Sequence, residues 1–191
     1  MNLDNNLRNA VKVLRETYYS IEKLAKYLQD KAPDFGFNCI TEDILMWQSK
    51  SNVWGWITSK FTLLFQHSDK PVFENGWADD DIFGVEISFE DDPSLYITRL
   101  TYSQGLREWS SGCKPSAEWG FTHPKWNKSK FNIIEKDGLV ISKPVSSKVS
   151  EAFWGLTSAI YKGDSFSDIT SENIGKKVFA VMDELALYKI D

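Results

Sequence analysis

Acidic residues concentrate between positions 69 and 92, where nine of them accompany one lysine. Clustered carboxylates at the start of a strand are what a magnesium-dependent nuclease needs, because their oxygens hold Mg²⁺ and a nearby lysine stabilises the charge on the phosphodiester. Ser88 stands two residues after Glu86, however, where such a site needs a lysine. The nuclease therefore remains one hypothesis among three. Its candidate residues are Asp79, Asp80, Asp81 and Glu86.

The same four acids support another hypothesis when they are treated as a field of charge. The whole chain has a net charge of −5, and its acids are strongly biased to this segment. A patch of one sign steers a basic partner toward the protein, which is how inhibitors and immunity proteins capture cationic targets quickly. The alternative is that these acids point in different directions and only solvate the fold.

Positions 105 to 130 form a second unusual segment, with three tryptophans, five basic residues and two acidic ones. Aromatic faces between cations suit a protein contact, where tryptophan and arginine are enriched. They equally suit a nucleotide, whose base stacks on an indole while a cation holds its phosphate. In a third interpretation the indoles turn inward and cover the sheet. The candidate binding residues are Arg107, Trp109, Lys114, Trp119, Lys125 and Trp126.

Several other kinds of chemistry lack the residues they require. The sequence has no glycine-rich phosphate loop, no nucleophile elbow and no zinc-protease motif, and it contains only two histidines and two cysteines, the latter far apart. We therefore expect no catalytic residue, cofactor or bound metal. The acidic balance disfavours a duplex-DNA binder. The sequence shows no basic, apolar leader and no membrane-spanning run, which predicts a cytoplasmic protein that does not enter membranes.

The elements that position these residues follow from periodicity. Apolar residues spaced by threes and fours from Leu7 to Leu28 predict a long first helix that Pro33 and Gly36 end. The acidic residues that follow Thr41 predict a short helix that extends to Ser51. A side-chain pattern that repeats every two residues predicts a strand from Val53 to Phe65.

Two hairpins and two helices complete the predicted fold. Apolar and polar residues alternate along the segments that begin at Phe83 and at Leu95, which predicts one hairpin. Asp137-Gly138 marks the turn of a second hairpin. Apolar residues at helical spacing over 149–160 and over 174–188 predict two C-terminal helices. The predicted class is α+β, a single domain over 1–191 in which an antiparallel sheet of about five strands is flanked by the N-terminal and the two C-terminal helices.

These observations favour a non-enzymatic binding protein. We expect the acidic residues and the Trp-rich segment to contact a macromolecular partner, with an inhibitor or immunity-type factor as the specific form. The alternatives are a protein that binds a nucleotide or nucleotide-derived signal on its loop tryptophans, and the magnesium-dependent nuclease. The oligomeric state does not follow from the sequence.

Overall fold

A computed structural model describes residues 3–41, 43–46, 57–89, 92–103, 106–109, 121, 123–170 and 172–190. Helix α1 spans Leu3–Lys31, as its apolar stripe predicts. The C-terminal half of the stripe is buried, at Ile21, Ala25 and Leu28, whereas Leu7 is exposed. A 3₁₀ turn over Ala32–Phe35 follows, and Gly36 ends it at φ 79°, a conformation that glycine adopts without strain.

Within the described residues the sheet has eight strands, so the prediction of about five was too low. All of its pairings are antiparallel, and the order is β1-β3-β4-β5-β8-β7-β6, with β2 also pairing with β3. The predicted strands did not include the short outer strands or one central strand. The strands are β1 (Phe37–Cys39), β2 (Leu45–Met46), β3 (Lys60–His67), β4 (Ile82–Ser88), β5 (Ser94–Tyr102), β6 (Phe131–Lys136), β7 (Leu139–Pro144) and β8 (Leu156–Ser165).

Both predicted hairpins are present. Strands β4 and β5 pair from Ile82↔Leu100 to Ser88↔Ser94. Strands β6 and β7 are joined by Asp137 at φ 54° and Gly138 at φ 76°. Two consecutive positive φ angles form the turn whose twist matches the twist of the flanking strands, which is why Asp-Gly predicted it.

The first predicted C-terminal helix is largely wrong. Helix α2 covers only Ser147–Ala152, and β8 begins at Leu156. Trp154 at φ 55° and Gly155 at φ 86° form a turn between α2 and β8, so the helix predicted over 149–160 ends in its middle. The second predicted helix is present as a π-helical turn, Gly175–Phe179, that continues into α3, Ala180–Leu187.

Two further predictions concern residues before β3. Leu45 and Met46 pair with Thr62 and Phe61, so the described part of the predicted helix from Thr41 is not helical. The remainder of that helix, 47–51, lies outside the described residues. Of the strand predicted from Val53, residues 53–56 are likewise outside them, and β3 occupies Lys60–His67.

Each face of the sheet carries its own apolar core. On the first face, helix α1 and the C-terminal helical segment pack against residues such as Phe65, Phe83 and Ile97. On the second face, short segments of the chain, including Leu106, Trp109 and Phe121, cover the strands. This second cover includes parts of the Trp-rich segment and so determines where its side chains lie. Among the described residues, no helix is long and apolar enough to cross a bilayer.

Candidate functional site

A row of four side-chain positions crosses the second face of the sheet. The register places Thr62 opposite Glu86, Glu86 opposite Tyr96, and Tyr96 opposite Gly163. Directly paired residues of antiparallel strands project to the same face, so these positions are neighbours. The row therefore combines a carboxylate, a phenol ring and a glycine whose lack of a side chain makes room for that ring.

Lys125 closes over this row from the 3₁₀ turn His123–Lys125. Its Nζ lies 2.9 Å from Oε1 of Glu86 and 3.2 Å from the centre of the Tyr96 ring. The side chains of Lys125 and Glu86 are only 13% and 3% exposed, so the ion pair is shielded from water. A buried carboxylate needs such a partner because desolvation without one is very costly.

Trp126 directly follows this turn and is exposed, with 50% of its surface accessible. Its ring centre lies 4.5 Å from that of His123 in an edge-to-face contact, and the Nζ of Lys60 lies 5.8 Å from the ring. Burial, with Lys130 and Lys60 nearby, lowers the pKa of His123 and favours its neutral form. We call Lys60, Tyr96, His123, Lys125 and Trp126 the Trp126 cluster.

An open cleft adjoins the cluster. It has a volume of about 620 Å³, and Tyr96 and Gly163 line it together with Asp92 and Asp164. The carboxylate of Asp164 is paired with Lys177, which lowers its pKa. The cleft thus offers the aromatic ring of Tyr96, which is itself a member of the Trp126 cluster.

The other members of the Trp-rich segment lie elsewhere. Trp109 is 5% exposed and packs edge-to-face against Trp77 and Tyr102, as the inward interpretation of the indoles predicts for this residue. The guanidinium of Arg107 lies 4.7 Å from the centre of the Phe73 ring. Lys114 and Trp119 lie outside the described residues.

The four candidate acids do not form one exposed patch. Glu86 is buried under Lys125, while Asp79 is exposed. Asp80 lies 2.6 Å from Nδ1 of His67, and Asp81 lies 3.4 Å from Nε of Arg99. Burial raises the pKa of Asp81.

The composition of the Trp126 cluster was only partly predicted. Lys125 and Trp126 were candidates, but they were assigned to a different surface from Glu86, which the structure brings together with Lys125. Lys60 and Tyr96 were missed, because each sits in a strand whose local pattern indicates only alternation. His123 precedes Trp126 by three residues, a spacing that brings side chains together in a 3₁₀ turn.

The chain matches no protein-family model, no curated protein and no solved structure. Within the described part of the chain, no three histidine, cysteine or acidic side chains lie together in a way that could hold a metal ion. The contact chemistry of the Trp126 cluster is therefore the basis for assigning a function.

Proposed function

We propose that this chain is a cytoplasmic, non-enzymatic binding protein that contacts a protein partner through the Trp126 cluster. The exposed indole of Trp126 is the observation that carries the proposal. Tryptophan is the residue type most enriched at the centres of protein interfaces, because its large rigid face buries much area at little entropic cost. The neutral imidazole of His123, which contacts the indole edge-to-face, extends that apolar contact.

The arrangement of cations supports a protein partner over a nucleotide. A nucleotide requires a cation beside a stacking ring, yet the ammonium of Lys125 already pairs with Glu86. Arg107 lies over Phe73, and Trp109 is buried, so neither joins Trp126. Lys60 is nine-tenths buried. These contacts therefore do not support the nucleotide hypothesis. They do not support the nuclease hypothesis either, because its candidate ligand Glu86 is paired with Lys125.

Exposed acids contribute to this proposal at a distance. Asp69 and Asp79 lie beyond the far end of β3 from Lys60. Eight strand residues span about 25 Å, more than the screening length of about 8 Å at physiological salt. These two acids therefore steer a basic partner weakly and do not form its contact surface. An inhibitor or immunity-type factor is the specific form of the proposal.

Quantitative affinity purification tests the proposal. Wild-type protein, Trp126→Ala and Val72→Ala are compared as baits, because Val72 is also exposed, at 62%, but lies outside the cluster. We expect a stoichiometric protein that Val72→Ala retains and Trp126→Ala loses, and whose purified form binds wild type directly. Equal recovery by all three baits, or loss with both variants, would exclude the Trp126 cluster as the contact.

A nucleotide titration provides the opposing test. Saturable quenching of tryptophan fluorescence by a nucleotide, absent in Trp126→Ala, would replace the protein partner with a small ligand. We expect no such quenching, because Lys60 is nine-tenths buried and the ammonium of Lys125 is paired with Glu86.

A further inference from the structure

A separate groove lies on the first face of the sheet, between the β6–β7 hairpin and the segment that follows α3. Its volume is about 330 Å³, within the range of small-molecule sites. Ile134, Ile141, Tyr188 and Ile190 supply its apolar surface. The groove is distinct from the Trp126 cluster, which lies on the opposite face.

The register explains why this surface is open. Ile134 pairs with Ile141 across the hairpin, and both side chains project to the first face. Ile141 is 7% exposed because it joins the main core, whereas Ile134, on the edge strand, is 57% exposed. The apolar surface thus continues from the core into the groove.

Arg99 fixes the other wall of the groove. This residue is 7% exposed. Its guanidinium donates hydrogen bonds to the backbone carbonyls of Leu185, Ala186 and Tyr188, at 3.1 Å and 2.9 Å for the last two. A wall held by a buried charge is ordered before a ligand arrives, which reduces the entropic cost of binding.

The charged residues that line the groove indicate which class of ligand it binds. Lys136 and Lys189 line the groove together with Lys143, and among the described residues no acidic side chain lines it. An apolar floor below ammonium groups is complementary to a molecule with a hydrocarbon body and an anionic head group. We propose that the groove binds a monomeric organic anion with an apolar tail, of the class of a medium-chain carboxylate.

Calorimetric titration with octanoate tests this proposal, with hexanoate and 1-octanol for comparison, all below micelle-forming concentrations. We expect one saturable octanoate site, an affinity that rises by up to about fourfold for each added methylene, and weaker binding of 1-octanol. The absence of saturable octanoate binding would overturn the proposal. Equal affinity for the alcohol would overturn the choice of an anion.

Variants locate the site. Ile134→Asp places a charge on the floor at an exposed position and should lower octanoate affinity at least tenfold, whereas Val72→Asp, similarly exposed and outside the groove, should not. Lys189→Gln should weaken binding about two- to fivefold, and Lys148→Gln, outside the groove lining, should leave it unchanged. Equal losses in the matched variants would place octanoate elsewhere.

A sedimentation assay with vesicles distinguishes a dissolved anion from a membrane surface as the ligand of the groove. We expect wild-type protein not to sediment with phosphatidylglycerol vesicles. Sedimentation that Ile134→Asp abolishes would assign the groove to a lipid surface and overturn the monomeric ligand. Because Trp126→Ala leaves this face unchanged, it should bind octanoate normally, so failure of the proposed protein contact and failure of this site are distinguishable.

Discussion

Lys125 and Glu86 form a shielded ion pair, 2.9 Å from Nζ to Oε1, although they lie 39 positions apart in the sequence. The pair fastens the turn that carries Trp126 onto the central strand β4. The exposed indole is therefore held on a rigid support, which is what a contact residue requires if little entropy is to be lost on binding.

Lys125→Met should destabilise the protein by about 3–5 kcal/mol, because it leaves the Glu86 carboxylate buried without its cation. Urea denaturation of Lys125→Met, Glu86→Gln and the double variant measures the coupling. We expect the double variant to be more stable than the sum of the single effects implies. Strict additivity would show that the two charges do not stabilise each other.

Acidification should weaken the folded state through His123. Its lowered pKa means that the folded state binds a proton less readily than the unfolded chain, whose ordinary value is 6.5. The stabilising contribution of the neutral imidazole is therefore complete above pH 6.5 and declines as the pH falls from there through the lowered pKa.

The urea midpoint, measured between pH 7.5 and pH 5, should fall less steeply for His123→Asn than for the wild type. Asparagine does not titrate, so the difference between the two slopes isolates this histidine. Identical slopes would contradict the burial of His123 beside Trp126.

Trp109 and Trp126 should respond very differently to truncation. Trp109→Ala removes a buried ring from contact with Trp77 and Tyr102 and should cost about 3–5 kcal/mol of unfolding free energy. Trp126→Ala removes a half-exposed ring and should cost about 1 kcal/mol or less. Thermal unfolding of both variants checks this, and equal losses would mean that Trp126 is a core residue.

Gly163→Ala should disturb the aromatic floor of the cleft. An added Cβ would lie 2.9 Å from Cε1 of Tyr96, so the ring has to shift from its position. We expect a loss of about 1–3 kcal/mol. Gly84→Ala is the matched control in β4, which β5 separates from β8, and there the new Cβ meets Thr98 at an ordinary 3.5 Å. Equal stability of the two variants would indicate that Tyr96 does not pack on Gly163.

Local signals predicted the hairpins and α1 correctly. The Asp137-Gly138 turn is specified by two residues, and the stripe of α1 repeats over many turns, so neither depends on distant contacts. Strand β8 was missed because its central residues, 158–161, are buried on both faces, and Leu156 and Ile160 continue the helical spacing of Val149. A strand without alternation cannot be distinguished from a buried helix by periodicity alone.

The candidate site depended on contacts that no local pattern encodes. Trp109 and Trp126 both lie among small, polar and basic residues, yet one is buried and the other is exposed. Glu86 was treated as a surface acid because alternation places it opposite the apolar residues of β4. The second face of the sheet is also covered, and the covering turn supplies the lysine. The burial of Glu86 therefore depends on the tertiary fold and could not be predicted from its own strand.

Site-specific photo-crosslinking tests the central proposal most directly. A photoreactive amino acid at position 128, exposed and two residues from Trp126, is compared in native cells with one at position 72. We expect one discrete protein adduct from position 128 that disappears in the Trp126→Ala background, and no such adduct from position 72. Identical adducts from both positions, or an adduct that persists without Trp126, would contradict the assignment of this surface to a protein partner.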